Sequence, residues 1–168
     1  MKKILKRILV ILIIALIIIQ FFRPEKNLSA ASNPADVSTK YPMPENVVST
    51  MKVACNDCHT DSSRYPWYWN IQPVAWFLDN HIREGKEHLN FSIFTSYKIG
   101  KQYHLLKKIN DEIKEDDMPL GTYTFLHRDA ILSNDQKQAI ADWVAVSRKQ
   151  IEANYPADSL LQPKRPQQ

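Results

Sequence analysis

One short run of residues, Cys55-Asn56-Asp57-Cys58-His59, has the types and spacing that iron chemistry requires. Two thiols separated by two residues reach both vinyl groups of a single porphyrin from one helical turn, and the adjacent imidazole can ligate the iron. The run therefore predicts one covalently bound haem c, attached through thioethers to Cys55 and Cys58, with His59 as the proximal iron ligand.

Three other uses of a cysteine pair explain this run less well. A thioredoxin-like dithiol is expected in a βαβ setting, and the sequence predicts none around residue 55. A structural zinc ion needs four ligands, whereas the chain has only two cysteines. A disulfide between residues three apart would constrain very little chain. Covalent haem accounts for both cysteines and the histidine together.

The second axial ligand is predicted to be Met118, which precedes Pro119 after an acidic stretch. A thioether ligand stabilises ferrous iron and raises its potential, whereas core packing is the ordinary alternative for a methionine. His81, on the apolar face of a predicted helix, is the alternative distal ligand. His127 shares the Met118 loop and can support that loop or bond the haem propionates. Two further alternatives remain: the distal ligand is His88 or His104, or the iron is five-coordinate and has no distal ligand.

Helical periodicity surrounds these residues. Pro44 opens a helix that ends on the motif, residues 96–115 repeat apolar side chains at helical spacing, and Ser133 with Gln136 forms a capping box that starts the last helix. No segment alternates as a strand, and three glycines against ten prolines disfavour a hairpin-rich β fold and a Gly-rich phosphate loop. The predicted fold is all-α: a cytochrome c-like helical haem domain of four to five helices behind an N-terminal transmembrane helix.

The N-terminal sequence is typical of an export signal. Four cations precede an apolar run over residues 8–22; they are Lys2, Lys3, Lys6 and Arg7. The small-residue cleavage candidate Ser29-Ala30-Ala31 lies well beyond that run, which favours an uncleaved anchor over a cleaved, secreted form. By the positive-inside rule the N-terminus is cytoplasmic, so the chain is predicted to be a single-pass protein of the inner membrane with a periplasmic haem domain.

This interpretation divides the chain into four parts. Residues 1–23 form the signal-anchor helix, 24–43 a small, polar linker, 44–155 the haem-binding domain and 156–168 a disordered tail.

Charge supports the same division. Net charge is +4, from 22 Lys and Arg against 18 Asp and Glu. Residues 1–31 alone carry +5, which leaves −1 on the remainder. A nearly neutral domain argues against nucleic acid as a partner. We therefore expect redox proteins and, through the N-terminal helix, the membrane as partners.

Several blocks of the sequence resemble the bacterial haem-binding domain family that carries a C-x-x-C-H motif. Besides residues 55–59, the matching blocks are Arg64-Tyr65-Pro66-Trp67-Tyr68, Pro73-Val74-Ala75-Trp76, residues 84–92, Met118-Pro119-Leu120, Leu126-His127-Arg128-Asp129-Ala130 and Leu132-Ser133. The resemblance covers roughly residues 41–150; Arg128 departs from the proline that members commonly show there. It implies a small exported cytochrome, often membrane-anchored, whose domain also occurs beside cytochrome c and peroxidase-type modules.

The functional expectation is a membrane-anchored monohaem c-type cytochrome that transfers single electrons in the periplasm, an electron carrier more than an enzyme. The alternative is a haem-based sensor or peroxidase-like enzyme with a labile sixth ligand. An accessory subunit whose haem is mainly structural is a third expectation.

Overall fold

The computed structural model describes residues 1–29 and 33–161. Within these ranges the regular elements are helices, with one isolated β-bridge between Leu28 and Ser62. The α-helices are α1 (Lys2–Ile19), α2 (Glu45–Ala54), α3 (Asn56–His59), α4 (Val74–His88), α5 (Ile99–Lys114), α6 (Gly121–Leu126) and α7 (Asn134–Asn154). The 3₁₀-helices are Val37–Thr39, Trp67–Asn70, Phe91–Ser96, Arg128–Ala130 and Ala157–Leu160. The all-α prediction is confirmed. The short helices α3 and α6 raise the number beyond the predicted four to five.

The main core lies where α5 and α7 pack together and α2 covers them. Helix α7 begins at the predicted capping box, in which Ser133 and Gln136 bond each other's backbone N–H groups. Its predicted apolar face is buried as expected, over Ile140, Trp143, Val144, Ser147 and Ile151. The other buried members of this core are Val37, Tyr41, Val47, Met51, Phe91, Phe94, Leu106, Ile113 and Leu160.

A second, smaller core lies on the other side of α3. Its buried members are Trp69, Ala75 and Ile82, so it joins α4 to the 3₁₀-helix Trp67–Asn70. Cys55 packs against the main core and Cys58 against the smaller one. The motif therefore lies at the boundary between two apolar clusters.

The prediction of an N-terminal transmembrane helix needs correction. Within residues 1–29 and 33–161, no helix is both long enough and apolar enough to cross a membrane. Helix α1 has 18 residues, but the four cations lie inside it. The apolar part, residues 8–19, is therefore only about 18 Å long at ~1.5 Å per residue. None of α1's side chains is buried against the described part of the chain.

The C-terminal end of α1 is nevertheless attached to the domain by hydrogen bonds. Gln20, which interrupts the apolar run, accepts a bond on Oε1 from the backbone N–H of Gln72 at 2.9 Å. The Gln72 amide and the Trp76 indole both donate to the carbonyl of Phe22, at 2.7 and 2.9 Å. Gln72 is only 2% exposed. A single polar residue in the apolar run thus helps to fix where α1 meets the domain.

The domain also extends beyond its predicted boundaries at both ends. Within the predicted linker, Val37 and Tyr41 are 2% and 1% exposed and belong to the main core. Within the predicted tail, Leu160 is buried, and a Cβ on Gly100 of α5 would lie 2.9 Å from the carbonyl of Ser159. Residues 30–32, which include part of the cleavage candidate, and residues 162–168 of the tail lie outside the described residues.

Replacing Leu160 with Ala tests this C-terminal boundary. We expect the free energy of unfolding to fall by about 2–3 kcal/mol, because the substitution leaves a cavity in the main core. The matched control is Leu161→Ala, at a neighbouring leucine that is 71% exposed, which should change stability by less than about 0.5 kcal/mol. Urea unfolding followed by circular dichroism measures both. Equal values for the two variants would contradict the packing of residue 160.

Candidate haem site

The C-x-x-C-H motif begins with a bend at Cys55, directly after α2, and continues as α3. The backbone N–H of Cys55 donates to Met51 and closes α2 at 2.9 Å. Cys55 then leaves helical geometry, with φ −126° and ψ −41°. Its carbonyl accepts from the N–H groups of Cys58 and His59, at 3.2 and 3.0 Å, which starts α3. The sequence 55–59 is therefore one tight turn beyond the end of α2.

This turn lines a cavity of about 380 Å³, a size typical of ligand pockets at ~300–1,000 Å³. The cavity contains the predicted ligands Cys55, Cys58, His59 and Met118, together with the alternative ligand His81. Its wall is mostly apolar, with contributions from α4, α5 and the segment before α6. The apolar lining residues include Leu89, Phe91, Leu105, Ile109, Ile113, Pro119, Leu120 and Leu132.

The other histidines have different positions. His88 lines the cavity but is exposed, whereas His104 on α5 does not line it. His127 lies in a small neighbouring cavity, where its ring stacks on Tyr123 and its Nε2 shares a hydrogen bond with the hydroxyl of Tyr68. Of the alternatives that the sequence left open, His81 and His88 are therefore in the cavity wall, and His104 and His127 are not.

Hydrogen bonds fix the tautomer of His59. Its Nδ1 lies 3.0 Å from the carbonyl of Gly85 and 2.9 Å from that of Leu89. Carbonyls only accept, so Nδ1 carries the proton and Nε2 keeps its lone pair. Burial lowers the pKa of His59, while the two backbone hydrogen bonds oppose that shift. The result is a neutral imidazole whose free nitrogen can bind a metal.

The two thiols are shielded from water. Burial, followed by the charge of Cys58, raises the pKa of Cys55 to about 12. Burial, followed by the charge of Asp57, raises that of Cys58 to about 11. A redox-active dithiol has a lowered pKa. The environment of this pair is therefore opposite to that of a thioredoxin-type site, and two thiols beside a free imidazole nitrogen in an apolar cavity fit a haem.

Helix α4 approaches the motif so closely that only glycine fits at position 85. A Cβ there would lie 2.6 Å from the carbonyl oxygen of Cys58 and 3.1 Å from its Cβ. The same residue supplies one of the two carbonyls that bond His59. The contact of Gly85 with Cys58, 27 residues earlier in the chain, has no local signal in the sequence.

A polar network around Asp57 was not predicted either. Asp57 is 8% exposed, accepts the backbone N–H of Arg64 at 2.9 Å and forms an ion pair with its guanidinium at 3.1 Å. The hydroxyl of Tyr123 donates to the second Asp57 oxygen at 2.7 Å. A buried carboxylate needs such partners, and an acid between the two cysteines is the one sequence signal that could have indicated this network.

The segment after the motif is held by the chain that leaves α1. Lys86 pairs with Asp61 at 2.8 Å and donates to Asn27 Oδ1 at 2.7 Å. The Asn27 amide in turn donates to the carbonyl of Thr60 and the hydroxyl of Ser63, both at 2.8 Å. Residue 27 lies in the predicted linker, so the site depends on a part of the chain that the sequence assigned to a spacer.

An all-helical domain with two thiols and a metal-ready imidazole in one apolar cavity belongs to the class of haem-binding proteins. Residues 14–146 match the model of a family described as "Haem-binding domain". The chain belongs to this haem-binding domain family, as its sequence blocks indicated.

A more distant similarity points in the same direction. Over 103 residues the chain is 26% identical to a protein of Escherichia coli (strain K12) named cytochrome c peroxidase Ccp. The match covers 60% of this chain and 22% of that protein, so the chain spans about a fifth of the length of this relative. No solved structure matches the chain.

Gly85→Ala tests the contact between α4 and the motif. We expect the free energy of unfolding to fall by about 1–3 kcal/mol, because the added methyl group forces α4 away from Cys58. Gly121→Ala is the matched control, since a Cβ there would meet no atom of the described chain within 4 Å. The control should change stability by less than about 0.5 kcal/mol. Unfolding curves of both variants are compared, and a neutral Gly85→Ala would refute the close approach.

Proposed function

We propose that this protein is a monohaem c-type cytochrome that transfers single electrons. The observation that carries the proposal is the shared cavity of Cys55, Cys58, His59 and Met118, which brings together two thiols, an imidazole and a thioether. When bound, the haem supplies an iron that alternates between ferric and ferrous as one electron arrives from a donor protein and leaves to an acceptor protein.

Each of these residues has one task in this proposal. The thiols of Cys55 and Cys58 form thioethers and keep the cofactor in place. His59 presents Nε2 to the iron, with its ring held by the carbonyls of Gly85 and Leu89. Met118 fills the sixth position, and a thioether there raises the potential. The apolar wall excludes water, which limits reorganisation when the charge of the iron changes.

An alternative function is a peroxidase-like enzyme or haem-based sensor. The name of the E. coli relative favours it, as does the position of His81 in the cavity wall, where its Nδ1 bonds the carbonyl of Phe77 at 2.8 Å. The two functions need the same proximal side but a different sixth position. An electron carrier needs it filled, and an enzyme or sensor needs it open or exchangeable.

We also propose that the haem domain works on the periplasmic side of the inner membrane, where redox proteins are its partners. Helix α1 begins with four cations and continues as an apolar surface that the described chain leaves exposed. This arrangement supports export, with α1 contacting the membrane. Hydrogen bonds from Gln72 and Trp76 to the end of α1 would then keep the domain at the lipid surface.

Two sets of variants, produced together with c-type haem-attachment machinery, test the haem chemistry. We expect Cys55→Ala with Cys58→Ala to abolish the haem that stays with the polypeptide on a denaturing gel. Met118→Ala should abolish the methionine-to-iron charge-transfer band of a low-spin ferric spectrum, because no other thioether is predicted at the iron. His81→Ala is the matched control and should keep the band. A high-spin spectrum of the unchanged protein would favour the alternative function.

The compartment is tested with a reporter fused after residue 161. Alkaline phosphatase, which needs an oxidising compartment for its disulfides, should be active on the full chain and inactive when residues 1–23 are removed. A fluorescent protein that matures only in the cytoplasm should give the reverse pattern. Phosphatase activity that does not depend on residues 1–23 would argue against α1 as the export signal.

A further inference from the structure

The segment that carries Met118 is weakly packed. Helix α6 begins three residues after Met118, and none of its six residues is buried against the described part of the chain. Its two large apolar residues at the C-terminal end, Phe125 and Leu126, are 68% and 57% exposed. Apolar burial therefore contributes little to the position of this helix, and other interactions must hold it.

Those interactions converge on Tyr123. Its hydroxyl donates to Asp57 at 2.7 Å, lies 3.0 Å from the carbonyl of Val53 and accepts a hydrogen bond from the guanidinium of Arg64 at 3.1 Å. Asp57 lies between the two cysteines of the motif, and Val53 lies two residues before Cys55. Tyr123 thus joins α6 directly to the backbone turn that holds the predicted haem thiols. Burial, with the hydrogen bond to Asp57, raises the pKa of Tyr123, so the hydroxyl keeps the proton that it donates.

A second contact supports the same tyrosine from its other face. The ring of His127 stacks on that of Tyr123, with centroids 4.3 Å apart and planes 12° from parallel. His127 also shares a hydrogen bond with the hydroxyl of Tyr68, which lines the same small cavity. The segment between Met118 and residue 127 is therefore held at one end by Tyr123 and His127. At its other end the N–H of Met118 bonds the carbonyl of Glu112 at 3.2 Å.

We propose that Tyr123 is a positioning residue for the sixth iron ligand: its hydrogen bonds to Asp57 and Arg64, here called the Tyr123 latch, keep Met118 at the iron. This inference rests on the proposed function, because it requires a haem in the cavity and Met118 as its distal ligand. When the latch opens, packing supplies little to hold α6, so Met118 leaves the iron more often and an external ligand can bind. The latch thus sets the fraction of time for which Met118 occupies the sixth position.

Tyr123→Phe tests the latch, because it removes one hydroxyl and keeps the ring that stacks on His127. Carbon monoxide binding to the ferrous protein and imidazole binding to the ferric protein report how often the sixth position is open. We expect Tyr123→Phe to bind both ligands about tenfold more tightly or faster than the unchanged protein does. The reason is that the variant loses a hydrogen bond to a charged group, Asp57. The methionine-to-iron band should weaken, and Tyr68→Phe should produce a smaller change in the same direction.

Tyr103→Phe is the matched control. It removes a tyrosine hydroxyl from α5 that bonds Glu152 on α7, away from the cavity. This variant should bind both ligands as the unchanged protein does; covalently retained haem shows that each variant is loaded, and its far-UV circular dichroism spectrum shows that it folds.

The outcomes separate the latch from the proposed function. If the unchanged protein shows the methionine band and Tyr123→Phe binds ligands no better than Tyr103→Phe, the latch is wrong and the proposed function stands. If the unchanged protein lacks the band, Met118 is not the ligand and the latch is overturned with it. Enhanced binding in Tyr123→Phe, with none in the control Tyr103→Phe, supports the latch.

Discussion

The close approach of α4 to the C-x-x-C-H turn is the constraint on which the rest of the site depends. At position 85 the absence of a side chain lets the helix lie against the carbonyl of Cys58, and the carbonyl of the same residue bonds Nδ1 of His59. Leu89, one turn further, supplies the second acceptor. One stretch of helix therefore sets both the distance to the thiols and the tautomer of the imidazole. If α4 moved outward, the close contact with Cys58 and the hydrogen bonds that fix the His59 tautomer would be lost together.

From this contact the cavity follows. The motif lies between two apolar clusters, so each cysteine has a packed neighbour on its own side, and the space between α4 and α5 remains open. Buried charge near the motif is costly unless it is paired and hydrogen-bonded. Asp57 meets that condition with Arg64 on one side and Tyr123 on the other. The polar network is thus a requirement of placing a carboxylate inside the motif, and it also connects the motif to α6.

The parts that sequence predicts correctly are those whose causes are local. The spacing of residues 55–59, the capping box at Ser133 and the buried face of α7 each depend on neighbours within about two helical turns. The contacts of Gln20 with Gln72 and of Tyr123 with Asp57 join residues 52 and 66 positions apart, and periodicity carries no information about them. The burial of Val37 and Tyr41 within the predicted linker was missed for the same reason, because the helices that bury them follow much later in the chain. The N-terminal helix was predicted to span a membrane from its cations and the apolar run over residues 8–22, whereas the helix ends at Ile19 and its apolar part is shorter.

The two candidate functions differ in the sixth position, and in this fold that position depends on different forces from the fifth. His59 is half-buried and held by the carbonyls of Gly85 and Leu89, so its position changes only if α4 moves. Met118 precedes a helix without buried residues, held mainly by the hydroxyl of Tyr123 and the stacked ring of His127. A hydrogen bond contributes only about 0.5–3 kcal/mol and can be removed without repacking the core, whereas α4 cannot move without disturbing the smaller core that it helps to form. With the ligands proposed above, a few polar contacts around α6 can therefore be changed to expose the Met118 side of the cavity, while the side that holds His59 and the core stay the same.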